Sequence, residues 1–113
     1  MKRNRFGIPE NELAKIRSRD KLCVYCGEPM LFPYVATNSK KSATIEHLNF
    51  DGPFYWKDDL RPEDIVICCG SCNSSRGEKP LPEWFGTPYC IERRITTRTV
   101  APPVKRYLRR RRA

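Results

Sequence analysis

A chain of 113 residues with 22 lysines and arginines against 13 acidic side chains, net charge +9, has the length of one domain and the charge of a polyanion binder. Ten prolines and long polar stretches limit the apolar core, so a structural metal is expected to add stability that burial alone does not supply. The charged start Met1-Lys2-Arg3-Asn4-Arg5 leads into no apolar run of signal-peptide or membrane-span length, which points to the cytoplasm and away from a membrane protein.

The first expected element is a short amphipathic helix over Glu10 to Asp20, with Leu13 and Ile16 at helical spacing among lysines and arginines. Met30 to Tyr34, with Pro29 and Pro33, reads as extended or irregular, and Asn38 to Ser42 as a polar loop. Ala43 to His47 reads as a strand. Asn49 to Pro62, carrying Asp51-Gly52-Pro53 and Lys57-Asp58-Asp59, reads as a turn-rich connection that returns the chain antiparallel. The β-branched run Ile65-Val66-Ile67-Cys68 reads as a buried strand. A helix is expected to begin at Asn73-Ser74-Ser75-Arg76-Gly77 and a shorter one at Pro82 to Phe85. Ile91 to Leu108 is expected to be helical in parts, with an interruption at Pro102-Pro103.

Six cysteines include two Cys-x-x-Cys knuckles, Cys23 with Cys26 and Cys69 with Cys72. Two spacer residues let one tight turn aim both sulfurs at a single ion, and four thiolates at about 2.3 Å make a closed tetrahedral zinc site. Disulfides are the competing use of six cysteines, and a reducing compartment disfavours them. Cys68 and Cys90 fall outside the spacing and read as small core residues, Cys68 pointing away from its ligand neighbour. The chain therefore divides into an N-terminal amphipathic helix (1–22), a zinc-clasped core (23–86) and a basic helical extension (87–113).

The knuckles, the pair Glu46-His47 and the run Cys72-Asn73-Ser74-Ser75-Arg76-Gly77 lie in the order strand, long turn, strand, helix. With these motifs the segment from Cys23 to about Trp84 resembles the HNH endonucleases, a ββα-metal (His-Me finger) family. The resemblance implies a small α+β fold with a ββα-metal core and a structural zinc site, flanked by short helices. It implies His47 as general base and Glu46 with Asn73 as ligands of one catalytic Mg²⁺ or Mn²⁺. It also implies cleavage of DNA, taken as double-stranded, to 5′-phosphate and 3′-hydroxyl ends. Asp64 stands where the family's middle Asn braces the loop carrying the histidine, and Glu46 where Asp is more usual. An Asp accepts backbone N–H bonds as Asn does but donates none. Small free-standing members are frequent in bacteria and their viruses.

Elementary chemistry arrives at the same roles. Phosphodiester hydrolysis needs a base to make the nucleophile and a cation to absorb charge on the phosphoryl and leaving oxygens. His47 is the only histidine, and its ordinary pKa of about 6.5 lets it take a proton from water. Glu46 and Asn73 offer hard oxygens for Mg²⁺ or Mn²⁺. Neighbours in a regular strand face opposite sides, so the strand is expected to end or bulge at Glu46-His47.

Arg76 and Lys79, with Arg93, Arg94, Arg98, Lys105 and Arg106, are the candidate nucleic-acid contacts. Arg76 is expected near a helix start, where backbone N–H groups also favour anions. Lys57 is a weaker candidate, and Phe54, Tyr55, Trp56, Trp84 and Phe85 are candidates for stacking on bases, with core packing the expectation for Trp84. The expected function is a DNA endonuclease or nickase. A non-catalytic zinc-clasped nucleic-acid module is the first alternative and a zinc domain whose basic tail binds an acidic protein the second; cleavage specificity and oligomeric state leave no sequence signature.

Overall fold

The computed structural model describes residues 4–112 and is a small α+β fold around a two-stranded antiparallel sheet. Helix α1 (Glu10–Arg19) precedes β1 (Ala43–His47) and β2 (Ile65–Cys69). Four helices follow: α2 (Gly70–Arg76), α3 (Leu81–Phe85), α4 (Pro88–Arg93) and α5 (Pro102–Arg112). No described helix is long and apolar enough to cross a membrane.

The β2 segment is buried at every position, and its alternation divides the interior in two. Ile65 and Ile67 pack with Leu13 and Ile16 of α1, Ile8 and Leu60. Val66 and Cys68 face the other way, onto Tyr25, Leu48, Leu81 and Trp84. Cys90, Ile95, Val100, Val104 and Tyr107 join that second cluster, so the basic C-terminal segment shares a core with the knuckles. Cys68 and Cys90 are fully buried, as small core residues.

Pairing is regular, with Glu46 opposite Val66 and His47 opposite Ile65. The strand ends at the expected place, without a bulge: β1 stops at His47, and Glu46 and His47 take opposite faces.

Helix α2 begins at Gly70, three residues before the expected start, because Cys69 caps it: its Sγ accepts from the backbone N–H of Cys72 at 3.5 Å. Asn73 therefore lies mid-helix and Arg76 at the C-terminal end, where no free N–H groups favour an anion. Gly77 ends α2 at φ +55°, a conformation suited to glycine. Gly70 is required by space, since a Cβ there would fall 2.0 Å from the carbonyl oxygen of Ser39. Pro102-Pro103 opens α5 and interrupts nothing, because proline lacks only an N–H that the first turn leaves unpaired anyway.

Candidate metal centre and active site

The four knuckle sulfurs, Cys23, Cys26, Cys69 and Cys72, lie within 4.8 Å of one another, with Cys26 Sγ and Cys69 Sγ 3.9 Å apart. A zinc tetrahedron with 2.3 Å bonds has edges of about 3.8 Å. The donors fit a metal ion such as zinc. Backbone N–H groups already point at the sulfurs, Cys69 donating to Cys23 Sγ at 3.3 Å, and the Tyr89 hydroxyl donates to Cys72 Sγ at 3.3 Å. Such donors favour thiolate. Crowded thiols titrate unevenly: hydrogen bonds from Cys69 and Cys72 hold Cys23 down to about 2, and burial pushes Cys26 up to about 12.

A cleft of about 900 Å³ runs along the outer edge of β1 and is bordered by Glu46, His47, Asn73 and Arg76. Because β1 is an edge strand, residues from both of its faces reach the same space without a bulge. Asn73 Nδ2 donates to Thr44 Oγ1 at 3.0 Å and to the Ile45 carbonyl at 3.2 Å. The carbonyl acceptor fixes which side of the amide is nitrogen, so Oδ1 is the atom Asn73 has left to offer a cation.

Glu46 is 5% exposed, and its Oε2 accepts from the Tyr25 hydroxyl at 2.8 Å and from Arg76 Nη1 at 3.1 Å. Burial pushes its carboxyl above the ordinary range, against the pull of Arg76 and Tyr25. Oε1 takes part in none of these side-chain hydrogen bonds and is the oxygen Glu46 has left to offer.

His47 packs edge-on against Phe6, ring centroids 4.2 Å apart, and against Phe54 at 5.4 Å. Its Nε2 is buried without a partner, as is Oδ1 of Asn49. Among the described residues these are the two orphaned buried side-chain polar atoms, and both residues border the cleft. Orphans in one place point to a missing water or ligand. Burial holds the imidazole below its ordinary range; a hydrogen bond to the Phe54 backbone opposes this, while Arg5 and Arg76 add to it.

Arg76 does not belong with the nucleic-acid contacts. It is 1% exposed, and its donors go to the carbonyls of Lys79 at 2.9 Å, His47 at 2.7 Å and Leu48 at 2.7 Å, besides Glu46. Tyr25 and Glu46 outweigh the desolvation and keep it charged. Its task is to hold the end of β1. Breaking a buried pair strands the partner charge, so Arg76→Ala is expected to cost about 3–5 kcal/mol. Urea unfolding of Arg76→Ala, Glu46→Gln and the double variant tests this: the double should cost less than the sum, and a single loss under about 1 kcal/mol contradicts the assignment.

Other expected roles also move. Asp64 braces the segment after His47 through its backbone, its carbonyl accepting from Leu48 N–H at 2.8 Å, while its carboxylate takes Arg110 at 3.1 Å. The Lys79 ammonium donates to the carbonyls of Ser75 at 3.3 Å and Arg76 at 3.5 Å and so caps the end of α2. Of the remaining basic candidates, Lys105 borders a second cavity and Arg106 a third, whereas Arg93 stacks on Tyr89 at 3.6 Å. Arg94 and Arg98 are exposed and border none of these cavities. Trp84 is buried as expected, donating to Ser75 Oγ at 3.0 Å.

Sequence reasoning missed Arg5, Arg17, Tyr34, Asn49 and Phe50, all bordering the cleft. Only Asn49, two residues beyond His47, carried a positional signal. Comparison of the chain with family models, curated proteins and solved structures returns no match.

Proposed function

We propose that the chain is a metal-dependent DNA endonuclease or nickase of the ββα-metal type, with β1, β2 and α2 as its catalytic unit. The observation that carries this reading is the orphaned, buried Nε2 of His47 in a cleft shared with Asn73, Glu46 and Arg5. Nε2 is the ring atom buried without a partner, and we assign it as the basic nitrogen. Nε2 takes a proton from a water molecule as its oxygen adds to phosphorus. The bond from phosphorus to O3′ breaks, and the departing oxygen takes a proton from solvent. Asn49 Oδ1 is free to accept a hydrogen bond from the other O–H of the attacking water and orient it. Glu46 and Asn73 would hold a divalent cation, which would supply positive charge against the phosphoryl and leaving oxygens. Arg76 keeps the histidine in place through the carbonyls of residues 47 and 48. Cys23, Cys26, Cys69 and Cys72 hold zinc, which ties α2 to the first knuckle.

The engagement of Glu46 Oε2 by Arg76 and Tyr25 favours a second reading, a non-catalytic nucleic-acid module, because a carboxylate already neutralised by a buried guanidinium attracts a cation less. Supercoiled plasmid and circular single strands incubated with Mg²⁺ or Mn²⁺ separate the two. The enzyme nicks or linearises at least one of them; binding with no cleavage in any divalent metal leaves the module. Since the neutral imidazole is the active form and its pKa is depressed, the rate should rise with pH along an acid limb whose midpoint lies below about 6.5 and level off above it. A midpoint above 7 counts against His47 as the base.

A further inference from the structure

We infer that the cleft takes DNA with unpaired bases at the cut site, a refinement that rests on the nucleic-acid reading above. Tyr34, Phe50 and Tyr55 border the cleft and are 56%, 38% and 42% exposed, although the interior has room for aromatics such as Trp84. Each of three pairs of guanidinium and ring has at least one member bordering the cleft: Arg17 lies over Phe32 at 4.5 Å, Arg5 over Phe6 at 5.0 Å and Arg111 over Phe50 at 5.8 Å. Rings interleaved with cations match a single strand, whose bases offer free π-faces between phosphates. A duplex keeps those faces stacked inside and presents sugars and phosphates to a protein surface, leaving the rings nothing to cover them.

The path continues beyond the cleft. Phe50 also borders the second cavity, of about 620 Å³, which Lys105, Arg109 and Arg111 line with no carboxylate among the lining residues. Asp51 meets Arg111 at 3.5 Å at its margin, where both side chains are about half exposed and the pair is readily exchanged for phosphate. A strand entering past Tyr34 and Tyr55 therefore crosses Phe50 onto a basic groove along α5.

The test is binding, read by fluorescence anisotropy without added divalent cation, of one labelled single strand and of the same sequence as a blunt duplex. The single strand should bind more tightly, by about tenfold, and Tyr34→Ala/Tyr55→Ala should weaken the single strand about five- to a hundredfold with little effect on the duplex. Neither side chain belongs to the buried core, so the variant is expected to keep the fold, and its circular dichroism checks that. Equal or tighter duplex binding, or a loss the same for both, overturns the inference while nucleic-acid binding stands. No binding to either overturns both.

Discussion

Stripping the metal, or replacing Cys72 with serine, is expected to unfold the chain. The four sulfurs come from residues 23 and 26 and from 69 and 72, so the clasp closes a loop of more than forty residues that contains β1 and most of the cleft. Structural zinc binding is worth about 10–16 kcal/mol in small domains, comparable with the whole stability, about 5–15 kcal/mol, of a domain this size. Without the ion, four sulfurs within 4.8 Å of one another cannot share charge comfortably: Cys23 is held down while Cys26 and Cys72 are pushed up. Metal analysis should find one zinc per chain. Far-ultraviolet circular dichroism should collapse on chelation and recover on zinc addition. An apo chain that keeps its spectrum and its urea midpoint would show that burial alone holds the fold.

Replacing His47 with alanine should lower cleavage by about 10²–10⁴-fold while DNA affinity changes little. The fold should survive, because Nε2 has no hydrogen bond to lose and the ring is one of several around Phe6 and Phe54. The cost is a small void beside Phe6 and Phe54. Cleavage that persists in a folded His47→Ala sample would move the base elsewhere and end the proposed mechanism, whereas loss of DNA affinity in step with cleavage would recast the imidazole as a binding group.

Much of the fold was legible. The limits of β1 follow from five residues bounded by polar turns, and the knuckles from spacing alone. The start of α2 was misplaced because Gly70 and Ser71 read as loop residues, and only the contact of Gly70 with Ser39 explains that glycine. The site was legible in membership more than in roles. Arg76 looked like a surface cation because the carbonyls that claim it lie 29 and 28 residues away along the chain. Tyr25 looked like a knuckle spacer, and nothing near it in sequence reveals Glu46 as its acceptor. The cleft rim stayed hidden for the same reason, since Arg5, Tyr34 and Phe50 come from segments with no shared pattern and meet only in three dimensions.

The two-stranded sheet has little bare backbone to offer. Asn73 and Arg76, one helical turn apart, cover the outward carbonyls of Ile45 and His47, while on the far side Arg19 and the backbone N–H of Val24 occupy the carbonyls of Ile65 and Ile67 and Asp20 accepts from the Ile67 N–H. A short pair of strands with open flanks is a template for adding another chain, and flanks plugged by side chains refuse it. Asn73 and Arg76 are thus guards against self-association as well as members of the cleft, and a variant that removes both exposes two acceptors along which foreign strands can dock and fibrils can grow.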